Sequence, residues 1–142
     1  MLNSDYVTGL VDGEGSFTFY IRNPETDKSA KRRVIVEPKF YLKLIEKDKN
    51  ILYELKKFFG CGQVYYQKDS RINHQNCYRY EVFRRDELID IIIPFFKRHQ
   101  LKLVSKRNDF RLFCNLMERI GSNEHKTVWG LKNLYRIKQR MH

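Results

Sequence analysis

The chain has 142 residues, 42% of them hydrophobic and 14% aromatic, which predicts a single folded domain over residues 1–142 and excludes a disordered tail. Lys and Arg total 28 against 17 Asp and Glu, a formal net charge of +11. This excess favours a polyanionic partner, with nucleic acid ahead of an anionic membrane surface.

Location is predicted from what the sequence lacks. The longest apolar stretch, 88–96, contains Asp90 and Pro94, so no membrane-spanning helix and no membrane association is expected. No signal peptide is recognised, and the three cysteines have the spacing of neither a metal site nor a disulfide framework. We therefore expect an intracellular protein, with bacterial cytoplasm, mitochondrion and chloroplast all open.

The first elements in chain order are a helix and two strands. Apolar residues at helical spacing predict a helix over 5–13, with Asp5 as its N-cap. Alternation of apolar and polar residues then predicts strands over 16–22 and about 33–45. A polar loop over 23–31 connects the two strands.

A second helix and a second pair of strands follow. Asp48 is predicted to cap this helix and Gly60 to end it. Strands are predicted over 62–68 and 76–83, joined by the polar turn 69–75.

The remainder is predicted to be helical. Asp86 and Pro94 begin two short helices, Ser105 begins a long helix that Gly121 ends, and Thr127 caps a last one. The predicted fold is α+β, in the order αββαββα plus C-terminal helices, with one four-stranded antiparallel sheet.

One face of this sheet is predicted to be polar. Its residues are Ser16, Thr18, Tyr20, Arg22, Glu37, Lys39, Tyr41, Lys43, Gln63, Tyr65, Gln67, Cys77, Arg79 and Glu81. A solvated sheet face and a surface that reads nucleic acid both have this composition. The net charge and the three tyrosines favour the second interpretation, in which all but Cys77 and Glu81 contact DNA.

The stretch 7–15, with the sequence VTGLVDGEG, is the candidate for chemistry. Gly9 removes a side chain from one helix face, so another helix can approach closely. Glu14 stands between Gly13 and Gly15, where a cation can reach its carboxylate. Taken alone, an acid before a glycine at a helix end is more often a turn residue than a ligand.

Residues 7–15 resemble the LAGLIDADG motif of homing endonucleases. Gly9, Asp12 and Gly15 match the motif, and Glu14 stands at its second acid. Four later segments are similar to the family in the same order: 46–49, 58–62, 92–96 and 105–110. The resemblance therefore extends over nearly the whole chain.

The resemblance implies a fold, a partner and an assembly. In this family the αββαββα fold places a saddle-shaped sheet in the DNA major groove, and the motif helices pair at a two-fold centre. A single motif implies the homodimeric branch, in which two chains cut both strands of a long pseudo-palindromic site. The implied interface residues are Val7, Gly9, Leu10 and Asp12, with Asp12 a structural residue at the helix end.

The resemblance also implies catalytic roles. Glu14 would bind Mg²⁺, with Mn²⁺ as a substitute, and the Gly13 carbonyl would be a further ligand. Glu46 occupies a position where the family often has a glutamine that orders water, so it is a base, a ligand or inert. Lys106 would stabilise the charge that develops on the phosphate, with Lys102 as its rival.

Two other functions fit the same fold. One is a maturase that binds intron RNA without cutting DNA, and the other is a DNA-binding regulator. Retention of Glu14 favours the nuclease, because a protein that only binds does not need a metal-binding carboxylate.

Overall fold

The structure is a computed structural model, and it describes residues 1–22, 36–68, 71 and 75–141. Its regular elements, in chain order, are α1 (Ser4–Glu14), β1 (Gly15–Ile21), β2 (Val36–Ile45), α2 (Lys49–Phe59), β3 (Gln63–Gln67), β4 (Cys77–Val82), α3 (Arg85–Glu87), α4 (Ile93–Arg98), α5 (Val104–Gly121) and α6 (Val128–Lys138). The predicted connections 23–31 and 69–75 lie outside the described residues, except for Arg71 and Gln75, as does the predicted start of β2 at 33–35.

The four strands form one sheet in the order β1-β2-β4-β3, so β4 is a central strand. It pairs antiparallel with β2 on one side and β3 on the other. Tyr41 and Gln63 are the two residues directly opposite Glu81. The predicted α+β fold with a four-stranded antiparallel sheet is confirmed.

The described residues group into two compact units. The first contains Met1–Ser16 and Lys39–Leu103, and the second contains the described residues of Phe17–Pro38 and Val104–His142. The prediction of a single domain over residues 1–142 stays a prediction. In the described part of the chain, no helix is long and apolar enough to cross a membrane.

The core of the first unit is built from aromatic rings. Phe40, on the apolar side of β2, lies with its ring centroid 6.2 Å from that of Phe59 and 5.6 Å from that of Phe96. Phe59 in turn stacks on Tyr80 of β4 at 6.4 Å. Full burial of a large apolar side chain contributes about 1.5–3 kcal/mol, and each aromatic pair adds about 0.5–1.5 kcal/mol.

The second unit has a smaller aromatic core. Phe17 and Phe19 alternate along β1 on its buried side, as predicted, and their rings lie 5.5 and 6.3 Å from that of Phe113 in α5. Leu116 of α5 and Leu134 of α6 are fully buried as well. The apolar residues that alternate along β1 therefore pack against the apolar side of α5 in this unit.

Two glycines have the positive φ angles that side chains disfavour. Gly60 ends α2 in the left-handed conformation with φ 72°, as predicted. Gly62 follows with φ 88°, and a Cβ there would lie 2.6 Å from the Tyr80 ring. Asp48 precedes α2 but makes no capping hydrogen bond, because a 3₁₀ turn over Glu46–Asp48 leads directly into the helix.

The predicted cap of the first helix is wrong. The side chain of Asn3, and not that of Asp5, accepts a hydrogen bond from the Tyr6 backbone N–H at 2.8 Å. The helix starts one residue earlier than predicted, which places Asp5 in its first turn. An acid there still interacts favourably with the positive end of the helix dipole.

Pro94 lies in the first turn of a short helix, α4, as predicted, but the helical residues before it continue into α4 without a break. Helical residues continue from α3 through a π-helical segment, Leu88–Ile92, into α4, which contains Pro94 in its first turn. Proline lacks an N–H and its ring collides with the carbonyl of the preceding turn. The wider π turn directly before Pro94 accommodates both effects without ending the helix.

The last helices differ from prediction at one end. Ser105 lies inside α5 rather than at its cap, and the left-handed residue beyond α5 is Asn123, with φ 60°, two residues after Gly121. Thr127 caps α6 as predicted, because its hydroxyl accepts a hydrogen bond from the Gly130 N–H at 3.0 Å.

Candidate functional site

Helix α1 ends in an accessible carboxylate. The Glu14 side chain is exposed, and no described residue forms a hydrogen bond or an ion pair with it. A Cβ on Gly13 would have no atom within 4 Å, whereas a Cβ on Gly15 would lie 2.7 Å from Val11 Cγ1. The chain therefore turns tightly into β1 at Gly15 while one side of Glu14 stays open.

Asp12 is held inside its own chain. Its carboxylate oxygens accept hydrogen bonds from the backbone N–H groups of Lys102 at 2.8 Å and Leu103 at 3.1 Å. The side chain thus links α1 to the segment after α4, which is the structural role expected for it. Its place in a dimer interface stays a prediction.

The exposed face of α1 contains two glycines four residues apart. Neither Gly9 nor Gly13 would have an atom within 4 Å of an added Cβ, and Tyr6 beside them is 47% exposed. Leu10 is half-buried at the margin of this face. Residues at this spacing share one side of a helix, so another backbone can approach closely here.

Val7 does not belong to that face. Its side chain is 0% exposed in the single chain, because it packs into the core of the first unit. The prediction that Val7 contacts a partner is therefore wrong, since its side chain has no remaining surface.

A groove of about 720 Å³ runs beside α1. It is lined by Asp5, Thr8, Gly9 and Asp12 from the helix and by Arg98, His99, Gln100 and Lys102 from the end of α4 and the segment after it. Two of these residues carry full positive charges. Lys102 thus lies at the groove next to the motif helix, which keeps it a rival for the catalytic lysine.

The other two predicted catalytic residues, Glu46 and Lys106, lie on different elements. Glu46 is exposed in the 3₁₀ turn after β2, and its N–H donates to the Asn76 carbonyl at 3.1 Å. Lys106 is half-buried in the first turn of α5. Among the described residues, no three His, Cys, Asp or Glu side chains group as a metal site.

All twelve residues predicted to contact DNA keep exposed surface. They are Ser16, Thr18, Tyr20, Arg22, Glu37, Lys39, Tyr41, Lys43, Gln63, Tyr65, Gln67 and Arg79. The alternation that assigned them to the polar face holds in β1 and β2, where the intervening residues are mostly buried. Contact with DNA itself stays a prediction.

The polar face contains one feature that sequence reasoning missed. Glu81 is only 5% exposed, and it forms ion pairs with Lys39 and Arg79, both at 3.1 Å. Its carboxylate also accepts a hydrogen bond from the Tyr65 hydroxyl, and the Arg79 guanidinium lies 3.6 Å from the centre of the Tyr41 ring. We call these five residues the Glu81 cluster.

Charge and burial shift two pKa values in the Glu81 cluster. Burial acts to raise the pKa of Glu81, but the hydrogen bonds from Tyr65 and Lys39 and the charges of Lys39 and Arg79 together lower it. Burial and the bond donated to Glu81 raise the pKa of Tyr65 to about 12. Glu81 is therefore ionised and Tyr65 neutral near pH 7.

Comparison with known proteins identifies the family. Residues 7–117 match the family model described as LAGLIDADG endonuclease, so the chain belongs to the LAGLIDADG endonuclease family. The resemblance predicted from the motif is confirmed.

Individual relatives agree with this assignment. The chain is 33% identical over 135 residues to the probable intron-encoded endonuclease 2 of Neurospora crassa, covering 94% of this chain and 28% of that protein. It is 28% identical to the homing endonuclease I-ApeII of Aeropyrum pernix, covering 87% of this chain and 67% of that one. The chain thus spans well under half the length of the fungal relative.

Solved structures share the fold. The homing endonuclease I-TnaI superposes with a TM-score of 0.81 at 34% identity, covering 99% of this chain and 88% of that one. The structure of I-SmaMI bound to uncleaved DNA in the presence of calcium ions superposes with a TM-score of 0.82 at 31% identity. The superposition covers 100% of this chain but only 45% of the I-SmaMI chain.

Proposed function

We propose that this chain is a metal-dependent endonuclease that cuts a long, pseudo-palindromic double-stranded DNA site as a homodimer. Family membership supports the reaction class, and the net charge of +11 supports a DNA substrate. The observation that carries the proposal is the exposed carboxylate of Glu14 at the end of α1, which has no partner among the described residues.

The residues at this end of α1 suit Mg²⁺ or Mn²⁺. Glu14 and the Gly13 carbonyl offer the oxygen ligands that hard cations prefer, and the open side of Gly13 leaves room for approach. The carbonyl end of a helix carries partial negative charge, which also favours a cation. When bound, such a cation supplies positive charge that polarises the phosphate undergoing hydrolysis.

We propose two copies because the described residues of one chain contain the motif once and so supply only one such carboxylate, that of Glu14. A second copy would bring a second Glu14, and the glycine face of α1 allows the two helices to approach closely. I-SmaMI, of which this chain covers 45%, is about twice as long. Two copies of this chain therefore match it in length.

The remaining roles follow from position and charge. The polar sheet face would hold the DNA, with arginine and lysine contacting guanine edges and phosphates. Glu46 would act as a base or a metal ligand near the phosphate, or would take no part in the reaction. Lys106, or Lys102 beside the α1 groove, would stabilise the charge that develops in the transition state.

One assay tests the reaction. Duplexes bound by the protein are selected from a random library in Ca²⁺, then cloned into a supercoiled plasmid and incubated with Mg²⁺ or Mn²⁺. We expect linear product that Glu14→Gln reduces by ~10³-fold or more while DNA binding persists, because the neutral amide lacks the negative charge with which the carboxylate attracts a hard cation. Glu118→Gln, which neutralises an exposed carboxylate on α5, is the matched control and should cut normally.

Two results contradict the proposal. Cleavage by Glu14→Gln at the wild-type rate removes Glu14 from the reaction. Selective binding by the wild type without cleavage under any divalent metal identifies a protein that only binds nucleic acid, such as a maturase or a regulator.

Assembly is tested with Gly9→Leu. A Cβ at this exposed position has no atom within 4 Å and the leucine side chain would occupy the exposed glycine face of α1, so the variant should fold, sediment as a monomer and fail to cut. A wild-type protein that remains monomeric by sedimentation on its selected DNA contradicts the homodimer.

A further inference from the structure

The Glu81 cluster lies in the middle of the polar sheet face. Glu81 is on the central strand β4, between Tyr41 of β2 and Gln63 of β3. Its sequence neighbours Tyr80 and Val82 are buried, Tyr80 among the core rings. A carboxylate on the polar face of a sheet would ordinarily be solvated, so the burial of Glu81 comes from the side chains that fold over it.

A buried carboxylate here is unfavourable for DNA binding unless it serves another purpose. Negative charge repels phosphates, and Glu81 occupies both Lys39 and Arg79, which would otherwise be available to contact them. The cluster therefore lowers the non-specific attraction of this face. Burial of Glu81 is tolerated because two cations and one hydroxyl contact its two oxygens.

The Glu81 cluster fixes the position of the Arg79 side chain. The Arg79 guanidinium lies against the Tyr41 ring on one side, and its Nε forms an ion pair with Glu81 Oε2 at 3.1 Å that lacks the geometry of a hydrogen bond. Its side chain is only 20% exposed, so most of its rotamer freedom is already lost in the free protein. Four of the five guanidinium N–H donors are on the two Nη atoms, away from the Nε that faces Glu81.

We propose that Glu81 is a positioning residue for DNA recognition, which holds Arg79 against Tyr41 so that β4 presents one rigid guanidinium to a base edge. A fixed fork of two donors matches the two acceptors of guanine in the major groove. An arginine free to rotate would instead contact whichever phosphate or base was nearest. The inference rests on the proposed function, in which this sheet face binds DNA.

The test is selection from a random duplex library in Ca²⁺, with base preference measured at each position. Glu81→Gln keeps the shape of the side chain but removes its charge. We expect it to lose about tenfold in preference at one or two adjacent base pairs and to bind non-specific duplex several-fold more tightly. Glu118→Gln makes the same change in net charge on α5 and should leave every preference unchanged.

A double substitution separates positioning from general weakening. Arg79→Ala should lose preference at the same base pairs as Glu81→Gln. If Glu81 acts through Arg79, the doubly substituted protein should have the base preferences of Arg79→Ala alone. Additive losses, or losses at different base pairs, overturn the proposal.

If Glu81→Gln folds poorly, Tyr65→Phe provides a second test of the proposal. Tyr65→Phe removes only the hydroxyl donated to Glu81, and it should weaken preference at the same base pairs to a smaller extent. Folded variants with wild-type preferences at every position overturn the positioning role while leaving the endonuclease proposal intact. A wild-type protein that enriches no sequence overturns both.

Discussion

Two carboxylates of the first unit show opposite environments. Glu14, at the end of α1, is exposed and has no partner among the described residues. Glu81, on β4, is almost fully buried and contacts two cations and a hydroxyl. Glu14 retains all its capacity to bind a ligand, whereas the capacity of Glu81 is already used within the chain.

The difference separates two kinds of functional residue. In the proposed function, Glu14 holds a metal at a site shared by two chains, and such a carboxylate must have no partner within its own chain before the metal binds. A carboxylate that orders its neighbours must be compensated beforehand, because an unpaired buried charge is strongly unfavourable. Exposure and partners, rather than residue type, therefore distinguish the candidate ligand from the positioning residue.

The largest effect expected from this contrast is on stability. Glu81→Ala should lower the free energy of unfolding by about 1–3 kcal/mol, because it removes three contacts and leaves Lys39 and Arg79 without their partner. Glu14→Ala should change it by less than about 0.5 kcal/mol, since the removed side chain is exposed and contacts no charged partner in the described part of the chain. Urea unfolding of both variants measures the difference. Equal losses would contradict the contrast.

A second contrast concerns the glycines on either side of Glu14. Gly15→Ala places a Cβ 2.7 Å from Val11 Cγ1 and 2.9 Å from the Val11 carbonyl oxygen, so we expect a loss of about 1–3 kcal/mol. Gly13→Ala meets no atom within 4 Å and lies in the last turn of α1, so it should raise stability by about 0.5–1 kcal/mol.

The same unfolding measurement checks the glycine pair. Gly13→Ala should also reduce cleavage despite its added stability, because the methyl group occupies part of the exposed glycine face of α1, where a second helix would approach. A destabilised Gly13→Ala protein would show that this side of α1 is not open.

The smallest effect is the dependence of stability on pH. The pKa of Glu81 in the folded protein lies below its ordinary value of 4.5. Its stabilising contribution is therefore fully present above about pH 4.5 and is lost as the pH falls below that value. Urea midpoints of wild type and Glu81→Gln should converge as the pH falls below 4.5. A gap that stays constant as the pH falls further would contradict the assignment.

At high pH, ionisation of Tyr65, which donates a hydrogen bond to Glu81, should also lower the stability. The pKa of Tyr65 is raised from 10.0 to about 12, so its contribution is present below pH 10 and is lost as the pH rises towards 12. Tyr65→Phe should lack this alkaline loss, and titration of the phenol absorbance at high pH measures the same shift.

Much of the fold was accessible to sequence reasoning because it depends on local patterns. The alternation of Phe17 and Phe19 with polar neighbours identified β1, and Gly60 and Thr127 marked the ends of helices. The errors concern where helices begin. Asn3 rather than Asp5 caps α1, and Ser105 lies inside α5 rather than at its cap.

The candidate site likewise contains residues that the sequence identified and others whose position required the tertiary structure. Glu14, Gly13 and Gly9 could be identified from the motif, because their spacing along one helix determines which of them share a face. The buried position of Val7 required the packed structure, since the helical pattern alone does not say which apolar residues face the core and which face a partner.

By itself, the sequence determined the order of helices and strands, the polar face of the sheet, the family and the carboxylate at the end of the first helix. These depend on residue type and on spacing within one element. Only the tertiary structure decided that Glu81 is buried with Lys39, Tyr65 and Arg79, and that Asp12 binds the backbone 90 residues away. Such contacts depend on strand register and on how distant segments pack, neither of which a local pattern specifies.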